Sequence, residues 1–248
     1  VDDGFVLLSF VRDIQCFILY RVSSQSDDIF FWYEIDGAAD PSFTANSVTT
    51  SADAATGVFA IDIDRDGDMD LVSSSGDDDK IAWYENDGAA DPSFTSRTIA
   101  TSADRPQAVF AADMDNDGDV DVVSGSYNDN AVSWYENDGA ASNSQTARGI
   151  SAWTEVVAGS SFDNANDVIH ADIDGDGDLD MVAVSSGNDD DVSWFINDGS
   201  PAGAGWTEVV IDNDLDNALS VAVADVDYDG DLDVIAGSGA NSDDLLWC

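Results

Sequence analysis

The sequence predicts an all-β fold, a β-propeller of four-stranded antiparallel blades, from three observations: a repeat of about fifty residues, short β-branched segments, and turn signals between them. Tryptophan marks the period at Trp32, Trp83, Trp134, Trp194 and Trp247. A period of this length in a strand-rich chain is typical of propeller blades. Five repeats are visible, of which the first lacks the acidic loop described below and the last is cut short.

Four strands can be placed within one repeat. In the third repeat they are predicted at 107–112, 120–124, 131–136 and 153–158, where β-branched and apolar residues are bounded by Gly, Ser, Asn and Asp. The Asn-Asp-Gly that begins at Asn137 is a turn signal after the third strand. One such sheet has two apolar faces and cannot bury both alone, so blades must stack around an axis. We therefore expect the repeated tryptophans in the layers between blades.

The repeats divide residues 1–248 into predicted blades within a single propeller domain or propeller fragment. Only Val1 to Gly4 precede the first predicted strand, and Trp247-Cys248 ends the last repeat before a fourth strand. We expect the chain to be either a fragment of a larger ring or a closed five-bladed ring with an unpaired edge, through which copies could assemble. The predicted blades are approximately 5–50, 55–101, 105–160, 165–212 and 217–248.

An acidic ladder of the form Asp-x-Asp-x-Asp-Gly-Asp-x-Asp occurs in four of the five repeats. Alternating carboxylates around a glycine turn are what a hard cation with six or more oxygen ligands requires. We number the nine positions of each ladder; positions 1, 3, 5 and 9 offer side-chain oxygens, and position 7 its backbone carbonyl. The candidate metal residues are Asp62, Asp64, Asp66, Asp68 and Asp70 (loop 1), Asp113, Asp115, Asp117, Asp119 and Asp121 (loop 2), Asp172, Asp174, Asp176, Asp178 and Asp180 (loop 3), and Asp225, Asp227, Asp229, Asp231 and Asp233 (loop 4).

The residue types of the ladders favour calcium, with about four ions, one in each loop. No cysteine or histidine lies inside a ladder, which argues against zinc and copper. Magnesium rarely takes a cage made only of protein oxygens. An EF-hand would need a glutamate at position 12, which here is Ser73, Ser124, Ala183 or Ala236. In the first repeat the corresponding segment, 12–17, has one carboxylate, so no ion is expected there.

These motifs resemble the FG-GAP/VCBS repeat family over roughly residues 30 to 247. The resemblance rests on the segment 171–184, a ladder followed by a Val-rich strand, and on the Trp-Tyr-Glu-Asn-Asp-Gly at Trp83 and Trp134. It implies a β-propeller like that of integrin α-subunits and certain fungal lectins, with calcium in each loop between the first and second strands. It also implies extracellular adhesion or glycan recognition, although related repeats occur beside or within some polysaccharide lyases.

Composition excludes several kinds of partner. The chain has 52 acidic and 7 basic residues, a formal net charge of −45. Such a field repels phosphate backbones, so nucleic acid is not an expected partner. No apolar stretch approaches the ~18 residues of a membrane span, and we expect no membrane insertion. No secretory signal is recognisable, and a chain that starts at Val1 is expected to be a mature or excised product. Cys16 and Cys248 could form a disulfide or remain free thiols.

Four individual residues invite a functional interpretation. His170 is expected to be a core or strand residue, and the only lysine, Lys80, a surface ion pair. Tyr127 and Tyr228 do not recur between repeats, which would suit contact with a ligand. The chain has no Gly-x-Ser-x-Gly, Walker or His-Glu-x-x-His motif, and we expect no enzyme activity.

The expected function is a calcium-stabilised binding or adhesion module, secreted or at the cell surface, that recognises a glycan or protein ligand. The turns between second and third strands lie at the end opposite the ladders and are rich in Ser, Asn and Asp, which can bind sugar hydroxyls. The alternatives are the propeller of a polysaccharide-cleaving enzyme and a structural subunit of an extracellular filament or coat. The turns are Ser75–Asp79, Gly125–Asn130, Ser186–Asp191 and Ser238–Asp243.

Overall fold

The protein is an all-β structure of repeated antiparallel sheets. The computed structural model describes residues 8–10, 16–19, 30–35, 40, 42–139, 152–187, 191–200, 205–239 and 245–247. Blade one consists of β1 (Leu8–Phe10), β2 (Cys16–Leu19), β3 (Phe30–Ile35) and β4 (Phe43–Thr49). Blade two consists of β5 (Ala55–Ile61), β6 (Asp70–Ser75), β7 (Lys80–Asn86) and β8 (Phe94–Ala100).

The next three blades follow the same order along the chain. Blade three consists of β9 (Pro106–Ala112), β10 (Asp121–Ser126), β11 (Ala131–Asn137) and β12 (Trp153–Gly159). Blade four consists of β13 (Ala165–Ala171), β14 (Asp180–Ser185), β15 (Val192–Asn197) and β16 (Trp206–Asp212). Blade five, within the described part of the chain, consists of β17 (Ala218–Ala224), β18 (Asp233–Ser238) and β19 (Leu245–Trp247).

Each strand pairs with its neighbour in sequence, and every pairing is antiparallel. The predicted propeller of four-stranded antiparallel blades is confirmed, and the strands predicted in the third repeat lie within two residues of β9 to β12. The assignment of residues 1–248 to one propeller domain or propeller fragment stays a prediction. The described residues include no helix that is long and apolar enough to cross a membrane.

The blades stack as wedges. Adjacent first strands, β5 with β9, β9 with β13 and β13 with β17, approach each other more closely than adjacent fourth strands such as β12 and β16. The second strands β6, β10 and β14 are buried along their whole length, because a neighbouring blade covers each face. This arrangement brings the connections between first and second strands together at one end of the arc.

Tryptophans occupy the layers between blades, as predicted. Trp83 packs with Val109 and Tyr135 between blades two and three, and Trp134 packs with Phe162 between blades three and four. Trp194 is partly buried in the layer between blades four and five. Burial of an aromatic side chain of this size contributes on the order of 2 kcal/mol or more. The repeated tryptophans therefore account for a substantial part of the cohesion between blades.

Some predictions fall on parts of the chain that the structure does not describe. The segment 12–15, where blade one lacks a ladder, lies outside the described residues. So does Cys248, and with it the question of a disulfide to Cys16. Residues 188–190 and 240–243, in two of the turns between second and third strands, also lie outside them.

Candidate metal centres

The four acidic loops join the first to the second strand in blades two to five, as predicted. Two backbone positions in every loop are left-handed. Position 6 is glycine, with φ between 96° and 104°, which a residue with a Cβ rarely adopts. Position 4 is also left-handed, although it holds four different residues: Arg65 (φ 59°), Asn116 (φ 59°), Gly175 (φ 74°) and Tyr228 (φ 63°). These two turns curl each ladder back on itself.

The curled backbone brings three carboxylates together in every loop. In each triplet, one oxygen from every residue lies within 4.8 Å of the others. Positions 1, 3 and 5 form the triplet in loops 1, 3 and 4, whereas positions 1, 3 and 9 form it in loop 2. The triplets are Asp62, Asp64 and Asp66; Asp113, Asp115 and Asp121; Asp172, Asp174 and Asp176; and Asp225, Asp227 and Asp229.

Backbone N–H groups hold these carboxylates in place. In loop 1, the N–H of Asp66 donates to Oδ1 of Asp62 at 3.0 Å and to Oδ1 of Asp64 at 3.2 Å. The N–H of Gly67 donates to the other oxygen of Asp62 at 2.9 Å. Loop 4 has the same three bonds at the same positions. The loop thus orients its own acidic side chains through local hydrogen bonds.

The aspartate at position 9 is the most deeply buried carboxylate of loops 1 to 3. Asp121 is fully buried and accepts hydrogen bonds from the N–H of Met114 at 3.0 Å and of Asn137 at 2.8 Å. Burial raises the pKa of Asp121 to about 7, because desolvation outweighs the lowering effect of these two bonds. The indole N–H of Trp134 faces the same carboxylate, short of hydrogen-bonding geometry.

Equivalent aspartates in the neighbouring loops behave alike. Burial raises the pKa of Asp70 to about 7, and it also raises the pKa of Asp180. The pKa values of Asp64 and Asp115, at position 3, are raised first by burial and further by the charge of the next aspartate in the ladder. The loops therefore hold carboxylates whose ionised forms are costly without a cation.

The aspartates at position 7 do not join the triplets through their side chains. The carboxylates of Asp68 and Asp119 turn outward and lie against Gly88 and Gly139, the glycines of the Asn-Asp-Gly turns, where a Cβ would overlap them. Both glycines also have positive φ. That position 7 offers a cation its backbone carbonyl stays a prediction.

The asparagine of the Asn-Asp-Gly turn has a structural role beyond the turn that the sequence pattern predicts. Buried Asn86 donates its amide to the carbonyl of Met69 at 2.9 Å and accepts the N–H of Gly88 at 3.1 Å, which clamps loop 1 to β7. Asn137 makes the same pair of bonds in blade three. A sequence signal exists, because the first repeat, which has no ladder, carries Ile35 at this position.

The residues present fit a hard divalent cation. Within the described part of the chain, Oδ1 of Asp113 and Oδ1 of Asp172 are buried and have no hydrogen-bond partner. An unsatisfied buried carboxylate oxygen is costly, and a cation is a partner that would satisfy it. The triplets offer only oxygen, which suits calcium, magnesium or manganese rather than zinc. Each triplet is thus able to bind a metal ion.

The fold and the repeated loops define a propeller of acidic-loop repeats, and comparison with known families identifies which one. Three overlapping matches to the profile of the FG-GAP-like repeat cover residues 62–124, 113–183 and 172–236. The chain belongs to this family. The predicted resemblance is confirmed.

Among solved structures, the chain is similar to a lectin of Agrocybe aegerita that is described as specifically recognising non-reducing terminal N-acetylglucosamine. The two share 14% sequence identity with a TM-score of 0.58, and the match covers 95% of this chain and 61% of the lectin. At this identity the likeness shows the fold, and the chain spans about three fifths of the lectin's length. No curated protein matches the chain. These comparisons thus show the repeat family and the fold of the chain.

Two of the single residues have the predicted surroundings. Lys80 pairs with Asp78, with 3.2 Å between Nζ and Oδ2. His170 lies in β13 with its ring 6.2 Å from that of Phe110, and burial lowers its pKa. Tyr228, at position 4 of loop 4, is 90% exposed.

Proposed function

We propose that this chain is an extracellular, non-catalytic binding module that holds one calcium ion in each of loops 1 to 4 and recognises a glycan at its opposite end. The observation that carries the proposal is the convergence of three carboxylates in every loop. Calcium takes six to eight oxygen ligands, and each loop offers side-chain oxygens together with the position 7 carbonyl. The bound ion would supply the positive charge that these crowded, desolvated carboxylates require.

Calcium rather than magnesium is favoured by the geometry of the donors. Each loop concentrates anionic oxygens from the protein in one short turn, whereas magnesium keeps several water ligands and seldom accepts such a cage. Extracellular calcium modules bind at ~10⁻⁴ to 10⁻³ M, so these loops would fill in a secreted compartment and stay empty in cytosol. The acidic composition is compatible with the secreted or cell-surface location that we propose.

The proposed binding end carries an arginine stacked on a tyrosine. Arg105, before β9, places its guanidinium carbon 5.3 Å from the ring centroid of Tyr127, in the turn after β10. The residues that correspond to this pair in blade two are Ala54 and Gly76, and the N–H of Gly76 donates to the Ala54 carbonyl just as Tyr127 donates to Arg105. The pair is therefore a feature of blade three rather than of the repeat.

Polar groups surround the pair and connect two blades. Oδ1 of Asp79, from the turn of blade two, accepts the N–H of Arg105 at 3.0 Å. Asn128 donates its amide to Asp104 at 2.9 Å, and Asp129 accepts the N–H of Asp104 at 3.1 Å. Carboxylate, amide and guanidinium groups can bind sugar hydroxyls, while an aromatic ring can contact the apolar face of a sugar. This chemistry supports a glycan ligand.

The scarcity of histidine and lysine supports a non-catalytic role. The chain contains one histidine and one lysine. His170 packs against Phe110, and Lys80 is paired with Asp78. Neither is arranged as a general acid or base next to a nucleophile.

Removal of the metal tests the calcium part of the proposal. Thermal unfolding of the full chain is followed by circular dichroism, once in millimolar calcium and once in excess EDTA. We expect the melting temperature to fall by many degrees in EDTA, because the repulsion between carboxylates then opposes closure of each loop. An unchanged melt would count against the metal assignment.

A glycan array, probed with and without calcium, tests the ligand. We expect binding that requires calcium and that is lost in Arg105→Ala and Tyr127→Ala. The matched control is Arg97→Ala. Arg97 lies on the outer strand β8 and also stacks its guanidinium on an aromatic ring, that of Trp83. Equal loss in the control would place recognition elsewhere, and release of cleaved product would contradict the non-catalytic role.

A further inference from the structure

Consecutive metal loops touch through position 4. Arg65, at position 4 of loop 1, reaches across the layer between blades two and three. Its Nη1 lies 3.6 Å from Oδ1 of Asp119, at position 7 of loop 2. The guanidinium also lies beside Gly118, at position 6 of the same loop, against the place where a Cβ would stand.

The next pair of loops repeats this contact with a different side chain. Asn116, at position 4 of loop 2, donates Nδ2 to Oδ1 of Asp178 at 2.9 Å and to the carbonyl of Gly177 at 3.5 Å. These are again positions 7 and 6 of the following loop. Both bridging residues are left-handed, with φ of 59°, and their side chains extend out of their own loop to the next. Two unrelated residues thus make the same connection.

Among the described residues, this connection has no counterpart after loop 3. Position 4 of loop 3 is Gly175, which has no side chain to reach Asp231 in loop 4. Tyr228, at position 4 of loop 4, is 90% exposed. The part of the chain that the structure describes therefore contains two bridged pairs of loops and one unbridged pair, and position 4 is left-handed in all four loops.

Loops 2 and 3 share a second tie. The amide of Asn197, in blade four, donates to the carbonyl of Met114 in loop 2 at 3.0 Å and to the carbonyl of Leu179 in loop 3 at 3.1 Å. A shift in the backbone of either loop would therefore alter a hydrogen bond of Asn197, which contacts both loops.

We propose that Arg65 and Asn116 are positioning residues that couple neighbouring ion sites, so that loops 1 to 3 bind calcium cooperatively and loop 4 binds it independently. The inference rests on the proposed calcium sites. Closure of one loop around its ion fixes positions 6 and 7, which in turn fixes the bridging side chain on the loop before it. That loop then loses less conformational freedom when it binds its own ion, and the effect is reciprocal.

The test uses calcium titrations of the full chain by isothermal calorimetry. Asn116→Gly and Arg65→Gly remove the bridges, and glycine is compatible with the positive φ at both positions. We expect a weaker ion affinity in the bridged loops, by about two- to fivefold, and a lower Hill slope. Gly175→Asn should raise the Hill slope, because it places at position 4 of loop 3 the same asparagine side chain that bridges loop 2 to loop 3.

Tyr228→Asn is the matched control, since it changes position 4 of the loop whose side chain is exposed, and it should leave the slope unchanged. Ion binding with a slope that neither Asn116→Gly nor Gly175→Asn alters would overturn the coupling while leaving the calcium sites intact. No ion binding at all would overturn the proposed function, and the coupling with it. If a glycine variant does not fold, the slope of Gly175→Asn decides.

Discussion

Loop 2 and loop 4 carry the same nine-position ladder but differ in what covers them. At position 2, Met114 of loop 2 is fully buried, whereas Val226 of loop 4 is 41% exposed. At position 9, Asp121 is fully buried, while Asp233 is only half-buried. Both loops nevertheless bring three carboxylates together. The ladder therefore sets the local turn, and the neighbouring blade sets how strongly its charges are desolvated.

The largest expected effect of this burial is on how the stability of the metal-free protein depends on pH. Folding raises the pKa of Asp70 and Asp121 to about 7, from an unfolded value of about 3.9. Between these values the folded state binds protons that the unfolded state does not, so stability falls as pH rises from about 4 to about 7. In EDTA, we expect the melting temperature to be clearly higher at pH 5 than at pH 8.

Calcium should reverse this trend, because the ion favours the ionised carboxylates and competes with protons for them. The check is a set of four melts, at both pH values with EDTA and with calcium. A metal-free protein that gains stability towards pH 8 would show that burial is not what controls these two carboxylates.

Truncation of the side chain at position 2 should destabilise the protein more in loop 2, which is covered, than in loop 4, which is exposed. Met114→Ala leaves a cavity between blades and should cost about 2–5 kcal/mol of unfolding free energy. Val226→Ala, at the equivalent exposed position, should cost less than about 1 kcal/mol. Urea denaturation of both variants in calcium gives the comparison, and equal costs would show that loop 4 is covered in solution.

Position 9 offers a second comparison between the two loops. Asp121→Ala leaves the buried N–H groups of Met114 and Asn137 without their acceptor and should cost about 3 kcal/mol. Half-buried Asp233 accepts the N–H of exposed Val226 at 2.8 Å, where water can take its place, so Asp233→Ala should cost less than about 1 kcal/mol. Chemical denaturation in EDTA at pH 5 measures both, because no ion is bound and the buried carboxyl of Asp121 is then protonated, so that the cost of its ionisation does not enter.

The asparagine clamp should produce a smaller, local effect. Asn86→Ile introduces the residue that the first repeat carries and removes the bonds to Met69 and Gly88, at a cost of about 2 kcal/mol and with weaker ion binding in loop 1. Calorimetric calcium titration together with a melt measures both effects. Asn46→Ile, which removes an exposed amide bond in β4, is the control, and a control that loses equal ion affinity would contradict the clamp.

Much of the fold could be predicted from sequence because it follows from local patterns. The strands of blade three are predicted by their β-branched and apolar residues and by the turn residues that bound them. The glycine at position 6 predicts a left-handed turn. The layers that hold Trp83 and Trp134 follow from the repeat, since every blade must cover its neighbour. The convergence of carboxylates likewise lies within nine residues.

The parts that were missed depend on contacts between distant segments. Position 4 is left-handed in residues as unlike as Arg65 and Tyr228, so its conformation is set by the loop and not by residue type. The bridge from Asn116 to Asp178 joins two loops in different blades, and the amide of Asn197 likewise spans two loops. No local pattern specifies these contacts, and only the packed structure shows them.

The most direct measurement is anomalous diffraction from crystals of this chain grown in millimolar calcium. We predict one peak in each of loops 1 to 4, surrounded by oxygens at about 2.3–2.6 Å that come from the side chains at positions 1, 3, 5 and 9 and from the position 7 carbonyl. Loops without anomalous density under these conditions would contradict the assignment of the acidic ladders as calcium sites.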